Sequence, residues 1–350
     1  MTPTSTSQDA PGRPSGRRVT MRDVARAAGV SQPLVSIVFR NVPGASEETR
    51  AHVLAVAAEL GYRRDERARL LRQGRSRLLG VAFEPMQPFH GEIVDGLHLA
   101  AQEHGYDIVL SAITPHRAED VAVEALLRDR CEVVILLGSS LPQDRLEHLS
   151  RTLPVVSVTR TVTSEAIASV ATDDHRGMVL AVEHLISLGH QRIAYIDANR
   201  EAGGQDRRAG YQDTMTAAGL ADQALIVAGG ASEAEGAAAI TELLSQDPAP
   251  TAVIAFNDRC AVGVISQARA LGHSVPEDLS VVGFDDSEQA SLPYIDLTTL
   301  AQDPQQLAHT AVELALRHLT TAATGTPAPG EHIVIPSRLV ARTSTAPVHL

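Results

Sequence analysis

Lysine is missing from this chain of 350 residues, cysteine occurs only twice, and no apolar run approaches the length of a membrane span. Cys131 and Cys260 each lie inside an apolar run, which excludes a disulfide framework and fits a reducing compartment. The first 18 residues are rich in Pro, Ser, Thr, Gly and Arg and have no apolar core, so they read as a disordered arm rather than a secretory signal. No membrane partner is expected, and the cytoplasm is the expected location. The missing lysine makes every basic side chain an arginine; this is a matter of composition and carries no functional weight.

Chemical signatures are scarce as well. No G-x-G-x-x-G follows a strand pattern, and there is no phosphate loop, G-x-S-x-G or H-E-x-x-H. The 14 histidines are dispersed, with no Cys/His spacing suited to zinc, so neither metal nor cofactor is expected. Ser139-Ser140 reads as a strand-end loop rather than a nucleophile. Asp285-Asp286 is adjacent in sequence, so its side chains should diverge, which makes a poor acid/base dyad. An enzyme is not expected.

What the chain does have is a lopsided charge. Residues 1–77 hold 14 Arg against 7 Asp plus Glu, a net +7, while the remainder has 16 basic against 35 acidic residues, a net −19. A small basic module on a large acidic body points to a polyanionic partner for the module alone.

That module opens with VTMRDVARAAGVSQPLVSIVF, Val19 to Phe39. Thr20 and Asp23 form a capping-box spacing, with Met21, Val24, Ala25 and Ala28 on one helical face. Gly29 supplies a turn with positive φ. Ser31 caps a second helix with Pro33 in its first turn, where a missing N–H costs nothing, and Val35 and Val38 point inward. Ser46 caps a third helix, with Glu47 and Glu48 in its first turn, an apolar stripe of Val53, Leu54, Ala57 and Leu60, and Gly61 as its stop. This is a helix-turn-helix with a third packing helix over 19–63. Then YRRDERARLLRQGRSR, Tyr62 to Arg77, leads into a hinge segment over 64–77 with a short arginine-studded helix capped by Asp65, whose Leu70 and Leu71 have nothing of their own to cover them. A DNA minor groove would neutralise the arginines and take an apolar wedge; a solvated linker is the other reading.

These words, in order and without gaps over about sixty residues, resemble the DNA-binding headpiece and hinge of the lactose-repressor family of bacterial transcription regulators. The resemblance implies that the second helix enters the major groove and that Leu71 is the minor-groove wedge, with Arg69 beside it. Where the family usually has Thr, Arg and Asn, this chain has Leu34, Ile37 and Arg40, and Arg64-Asp65 replaces a Pro-Asn pair. Gln32 can pair with a base edge, Pro33 and Ile37 offer apolar contact, and Arg40 holds phosphate. Thr20, Ser31, Ser36, Ser46 and Thr49 complete the expected DNA-binding set. The operator should differ from the family's commonest one.

From Leu78 the pattern changes to short Val/Ile/Leu runs alternating with amphipathic stretches. The runs are LLGVAF, YDIVLSAI, EVVILLG, PVVSVT, RIAYIDA, ALIVAGG, AVIAFND and LSVVGFDD. Such runs mean parallel βαβ units, and their number suggests two sheets, with a break at Ala171 to Gly177. Ligands of these folds sit beyond the carboxyl ends of the strands. There lie Pro88-Phe89-His90, Thr159-Arg160, Gln205-Asp206-Arg207, Asn257-Asp258 and Asp285-Asp286. Arg, Asn and Asp beside an aromatic ring suit a polyhydroxylated ligand, although singly Asp and Asn more often cap helices and Arg is more often solvated.

The body too resembles the lactose-repressor family, in AVEHLISLGHQRIAYI, DRRAGYQDTMTAAGL, TAVIAFNDRCAVGV, SVPEDLSVVGFDDSEQA and the closing PSRLVARTST. The resemblance implies a periplasmic-binding-protein-like body over 78–350, made of two parallel-sheet subdomains joined by three chain crossings. One subdomain would take about 78–173 and 303–325, the other about 174–302 and 330–345. Effector contacts fall at Phe89, Arg207, Asn257 and Asp285, with Arg208 the ambiguous neighbour of Arg207; His90, Thr159 and Arg160 join them from the strand ends. Many members have Asp-Arg where this chain has Thr159-Arg160.

The expected protein is a dimeric repressor of carbohydrate-utilisation genes. Its partners would be a pseudo-palindromic double-stranded operator and a sugar or sugar derivative. No apolar heptad follows ARTST, which favours a dimer over a coiled-coil tetramer. Two alternatives stay open: the same regulator with a purine or protein co-regulator, and a solute-binding protein of the transport type.

Overall fold

The computed structural model describes residues 19–62, 75–324 and 330–348, in two compact units that divide at Arg75/Ser76. The arm over 1–18 and most of the linker, including Arg69 and Leu71, lie outside the described residues.

The first unit has three helices, α1 (Met21–Ala27), α2 (Gln32–Arg40) and α3 (Glu47–Glu59). The capping box at Thr20 and Asp23 is present, the Ser31 and Ser46 hydroxyls cap α2 and α3, and Gly29 turns with φ 65°. Val24, Val35, Val38, Val53 and Ala57 form the core. Leu54 and Leu60 do not join it, being 44% and 38% exposed. The face of α3 that meets α1 and α2 is narrow, and Val56 packs there instead. Arg50 braces the α2–α3 turn by donating to the Val38 and Val42 carbonyls and to Asn41 Oδ1 at 3.2, 3.1 and 2.9 Å.

The second unit holds two six-stranded sheets. Its elements are β1 (Leu78–Phe83), α4 (Pro88–Glu103), β2 (Asp107–Ala112), α5 (Glu119–Arg128), β3 (Val133–Leu137), α6 (Gln143–Ser150), β4 (Val155–Val158), β5 (Ala168–Thr172), α7 (Asp174–Ser187), β6 (Ile193–Asp197), α8 (Gly204–Ala217), β7 (Leu225–Ala228), α9 (Glu233–Leu244), β8 (Ala252–Ile254), α10 (Asp258–Ala270), β9 (Ser280–Asp285), β10 (Thr298–Ala301), α11 (Pro304–Thr324), β11 (His332–Ile335) and β12 (Arg338–Val340). The first sheet runs β11-β5-β4-β3-β1-β2 and is wholly parallel. The second runs β12-β10-β9-β8-β6-β7, with β12 antiparallel at the edge. Both strand orders reverse beside the first strand of the sheet, between β1 and β3 and between β6 and β8, which is where such folds open a crevice.

The chain passes between lobes three times, after β5, β10 and β11. Strand β11 therefore corrects the expected division: residues 332–335 pair with β5 in the first lobe, and only the chain from β12 onward belongs to the second. His332 Nδ1 and Ser169 Oγ, 2.8 Å apart, fasten that pairing.

Each sheet is buried on both faces. Leu79, Val81, Ile135 and Val156 meet α4 and α11, while Ala82, Val134 and Leu136 meet α5 and α6. In the second lobe Ile196, Val253 and Val281 meet α9 and α10, and Tyr195, Ile254 and Phe284 meet α7 and α8. Among the described residues no helix is long and apolar enough to cross a membrane, and no cluster of His, Cys, Asp and Glu is arranged to hold a metal.

Candidate functional site

In the first unit Gln32, Pro33 and Arg40 are exposed, and Ser36 and Ile37 are half-buried. Ser31 accepts from Leu34 N, Thr20 bonds Asp23 Oδ2 at 2.6 Å, and the Ser46 and Thr49 hydroxyls meet at 2.8 Å. These hydroxyls hold helix starts, where backbone N–H groups and the helix dipole favour an anion. Arg40 Nε donates to Ser36 O at 3.2 Å.

In the second unit the strand ends of both lobes converge on one small chamber of about 50 Å³. Phe89, His90 and Thr159 line it from the first lobe and Arg207, Asn257 and Asp285 from the second. Arg160 is not among them. It lines an adjoining chamber of about 480 Å³, and its guanidinium is held by the Ser139 and Leu141 carbonyls at 2.9 and 2.7 Å.

The second-lobe wall is tied together internally. Arg207 is buried, with Nε 2.7 Å from Asp174 Oδ1 and Nη1 2.6 Å from Phe256 O. Its guanidinium lies 3.6 Å from the centre of the Phe284 ring and 4.6 Å from that of Phe256. Close packing at the start of α8 makes this fit possible: Gly203 has φ 74°, and a Cβ there would lie 2.4 Å from Asp174 Oδ2. Asn257 caps α10, its Oδ1 accepting from Cys260 N at 2.9 Å. Asp285 accepts from Gln302 Nε2 at 2.7 Å, and Gln302 Oε1 accepts from Thr172 Oγ1 at 2.5 Å at a crossing between lobes. Burial pushes the Asp285 carboxyl well above its ordinary range against the pull of Arg207. Asp286 turns away to Arg342, 2.6 Å off, so the two carboxylates diverge. Arg208 pairs with Asp197 at 2.6 Å, which leaves Arg207 as the arginine in the chamber.

The first-lobe wall is looser. His90 is buried and its Nδ1 accepts from Glu84 N at 3.2 Å, so the ring hydrogen sits on Nε2. Burial lowers its pKa to about 4, which keeps the ring neutral. Thr159 has φ 66°, and its enclosed Oγ1 has no partner among the described residues.

Besides Thr172–Gln302, contacts that join the lobes directly include Asn257 Nδ2 to Gln87 Oε1 at 3.5 Å, Arg259 Nη1 to Met86 O at 3.0 Å, and Glu288 N to Glu92 Oε1 at 3.3 Å. Glu84, Gln87, Glu201, Phe256 and Gln302 also line the chamber and were missed in the sequence. Glu84 is the first residue beyond β1 and was open to the strand-end rule; Gln302 follows β10, whose TTLA has too little bulk to announce a strand.

Residues 20–65 match the profile of bacterial regulatory proteins of the lacI family, and residues 182–345 that of a periplasmic binding protein-like domain. The HTH-type transcriptional regulator GalR of Escherichia coli is 33% identical over 85% of this chain and 88% of its own length. A LacI transcriptional regulator from a Rhodococcus species is 44% identical, with TM-score 0.73 over 77% of this chain and 99% of that one. The lac repressor dimer bound to operator and the anti-inducer ONPF is 30% identical, with TM-score 0.80 over 94% of this chain and 100% of that one. A LacI-family regulator from Enterococcus faecium, solved with bound ribose, is 26% identical, with TM-score 0.69 over 78% of this chain and 100% of that one.

Proposed function

The chain belongs to the lacI family of bacterial regulatory proteins, which are DNA-binding transcriptional regulators, and on that premise we propose that it is a dimeric repressor whose hold on a pseudo-palindromic operator is set by a sugar-class ligand in the cleft. The observation that carries this reading is the meeting of Phe89, His90, Asn257, Arg207 and Asp285, from opposite lobes, in one chamber. Asn257, Asp285 and the His90 Nε2–H offer acceptors and donors to neighbouring hydroxyls, and Phe89 and Phe256 supply apolar cover, as a polyhydroxylated ring requires.

A ligand touching both walls favours the closed arrangement by the difference between its affinities for closed and open cleft. Closure moves the first lobe, from which the chain leads back to the headpiece. There Ser76 N and Arg77 N both donate to Glu132 Oε1, at 2.6 and 2.9 Å, and Arg77 stacks over Tyr106. This clamp ties Ser76 and Arg77 to the first lobe. In the headpiece, Gln32, Pro33 and Ile37 read base edges, and Arg40 with the helix starts at Thr20, Ser31, Ser46 and Thr49 holds phosphate. Ser36 lies between these groups on α2. Arg69 and Leu71, outside the described residues, are assigned to the minor groove.

Operator recovered from randomised palindromic duplexes, titrated with the full chain, tests the DNA half. A thermal-shift screen of sugars tests the other half, since a ligand at about 100 times its Kd adds about 2.7 kcal/mol. Failure of every sugar to shift melting or operator affinity counts against the reading.

A further inference from the structure

Two acids in the cleft are unexplained by a generic sugar site. Glu84 follows β1 and Glu201 precedes α8, so they come from opposite lobes, and both line the inner chamber. Among the described residues neither carboxylate has a hydrogen bond or an ion pair. Glu84 is half-buried, and burial first, then the negative charge of Glu201 and Glu119, pushes its pKa up. The one cation that counters this is Arg259, itself held by Glu233 at 2.6 Å and by the Met86 carbonyl. The guanidinium on the chamber wall, Arg207, is already matched by Asp174.

Other groups in the same chamber wait for a partner. His90 is only 9% exposed, its Nδ1 is used by Glu84 N, and no partner within the described residues meets Nε2. A Cβ on Gly138 would lie 3.0 Å from that nitrogen. Thr159 Oγ1 is enclosed and has no partner among the described residues. The chamber therefore offers hydrogen-bond groups for a ring and, across its two walls, a pair of carboxylates without a counter-charge.

We propose that the effector is an amino sugar, a polyhydroxylated ring whose protonated amine sits between Glu84 and Glu201. This rests on the reading of the cleft as a sugar site. Bringing the lobes together brings like charges together, which opposes closure. An ammonium between them turns that repulsion into two attractions, made strongest in the closed cleft, so such a ligand is a closing ligand by construction. A phosphate or carboxylate on the sugar adds a further negative charge where none is neutralised and is refused. A neutral sugar can donate hydroxyls to both acids but leaves their charge in place, so it binds more weakly.

The test uses the full chain and calorimetry near pH 7, with matched sets: glucosamine, glucose and glucose 6-phosphate, and the galactose and mannose counterparts. In one set the amine should bind at least about tenfold more tightly than its neutral parent, a gap of about 1.4 kcal/mol, and the phosphate should not bind. Glu84→Gln and Glu201→Gln should each shrink that gap, lowering affinity for the amine several-fold more than affinity for its neutral parent. A neutral parent that binds as well as its amine, a phosphate that binds, or a gap untouched by both variants overturns the proposal and leaves the sugar reading standing. If no sugar of any set binds, the proposal falls; if adenine or adenosine binds instead, the sugar reading falls with it.

Discussion

The two walls of the cleft are built on different principles. In the second lobe three of the polar groups that face the chamber are already answered, Arg207 by Asp174 and Phe256 O, Asn257 by Cys260 N and Asp285 by Gln302, while the exposed Glu201 carboxylate is not. In the first lobe His90 Nε2 and Thr159 Oγ1 have no partner among the described residues. One wall is largely organised within the protein, and the other holds buried groups that a ligand could complete. A buried ion pair is weak evidence of stability in itself, but it is costly to break on one side only. The second-lobe wall should therefore carry stability along with recognition, and the first-lobe wall mainly recognition.

The largest expected effect follows from that difference. Arg207→Ala leaves Asp174 buried without its counter-ion and should cost about 3–5 kcal/mol in urea unfolding of the chain. A loss below about 1 kcal/mol would erase the distinction between the walls.

His90 sharpens the comparison through pH. Its folded pKa of about 4 lies below the ordinary 6.5, so between those values the unfolded chain binds more protons. Its contribution is complete above about pH 6.5 and is lost as pH falls towards 4. Wild type should lose about 3 kcal/mol more than His90→Gln between pH 7 and pH 4. Asp258, raised to about 7 chiefly by burial, gives a slope of opposite sign, but it is common to both proteins and cancels in the difference.

Thr159 should give a smaller and inverted response. A β-branched residue at φ 66° is strained, and its hydroxyl gains nothing in the free protein. Thr159→Asn should raise the unfolding free energy by about 1 kcal/mol and weaken ligand binding, both read from melting curves with and without ligand. Ile37→Arg, on the half-buried part of α2, should leave stability within about 0.5 kcal/mol while changing which operator is selected; an unchanged preference would remove Ile37 from base reading.

The same contrast between local and assembled structure decides what could be read in the sequence. The headpiece was legible because its signals are local: Thr20 with Asp23, Ser31 before Pro33, Ser46 before two glutamates. Leu54 and Leu60 misled because periodicity marks an apolar face without saying how wide a neighbour will cover it. In the body the long Val/Ile/Leu strands were plain, whereas β5, β10, β11 and β12 are short, and two of them carry mostly small or hydroxylated residues. Their pairing is decided by tertiary contact rather than local propensity. The strand-end rule found Phe89, His90, Thr159, Arg207, Asn257 and Asp285 at sequence separations of up to nearly two hundred residues, but passed over Glu84 and could not find Gln302 behind an unread strand. Arg160 lines the adjoining chamber, because its backbone partners, Ser139 and Leu141, belong to another strand's loop.

The central claim is that the ligand in the cleft sets the affinity for the operator, and by linkage the operator must change ligand affinity by the same factor. The direct measurement is operator affinity of wild type and Asp285→Ala, titrated with the ligand that calorimetry identifies. Wild type should respond with a half-effect concentration that tracks the ligand's Kd. Asp285→Ala should keep the ligand-free operator affinity and show no response at about 100 times that concentration. An Asp285→Ala protein that responds at the wild-type half-effect concentration would contradict the account.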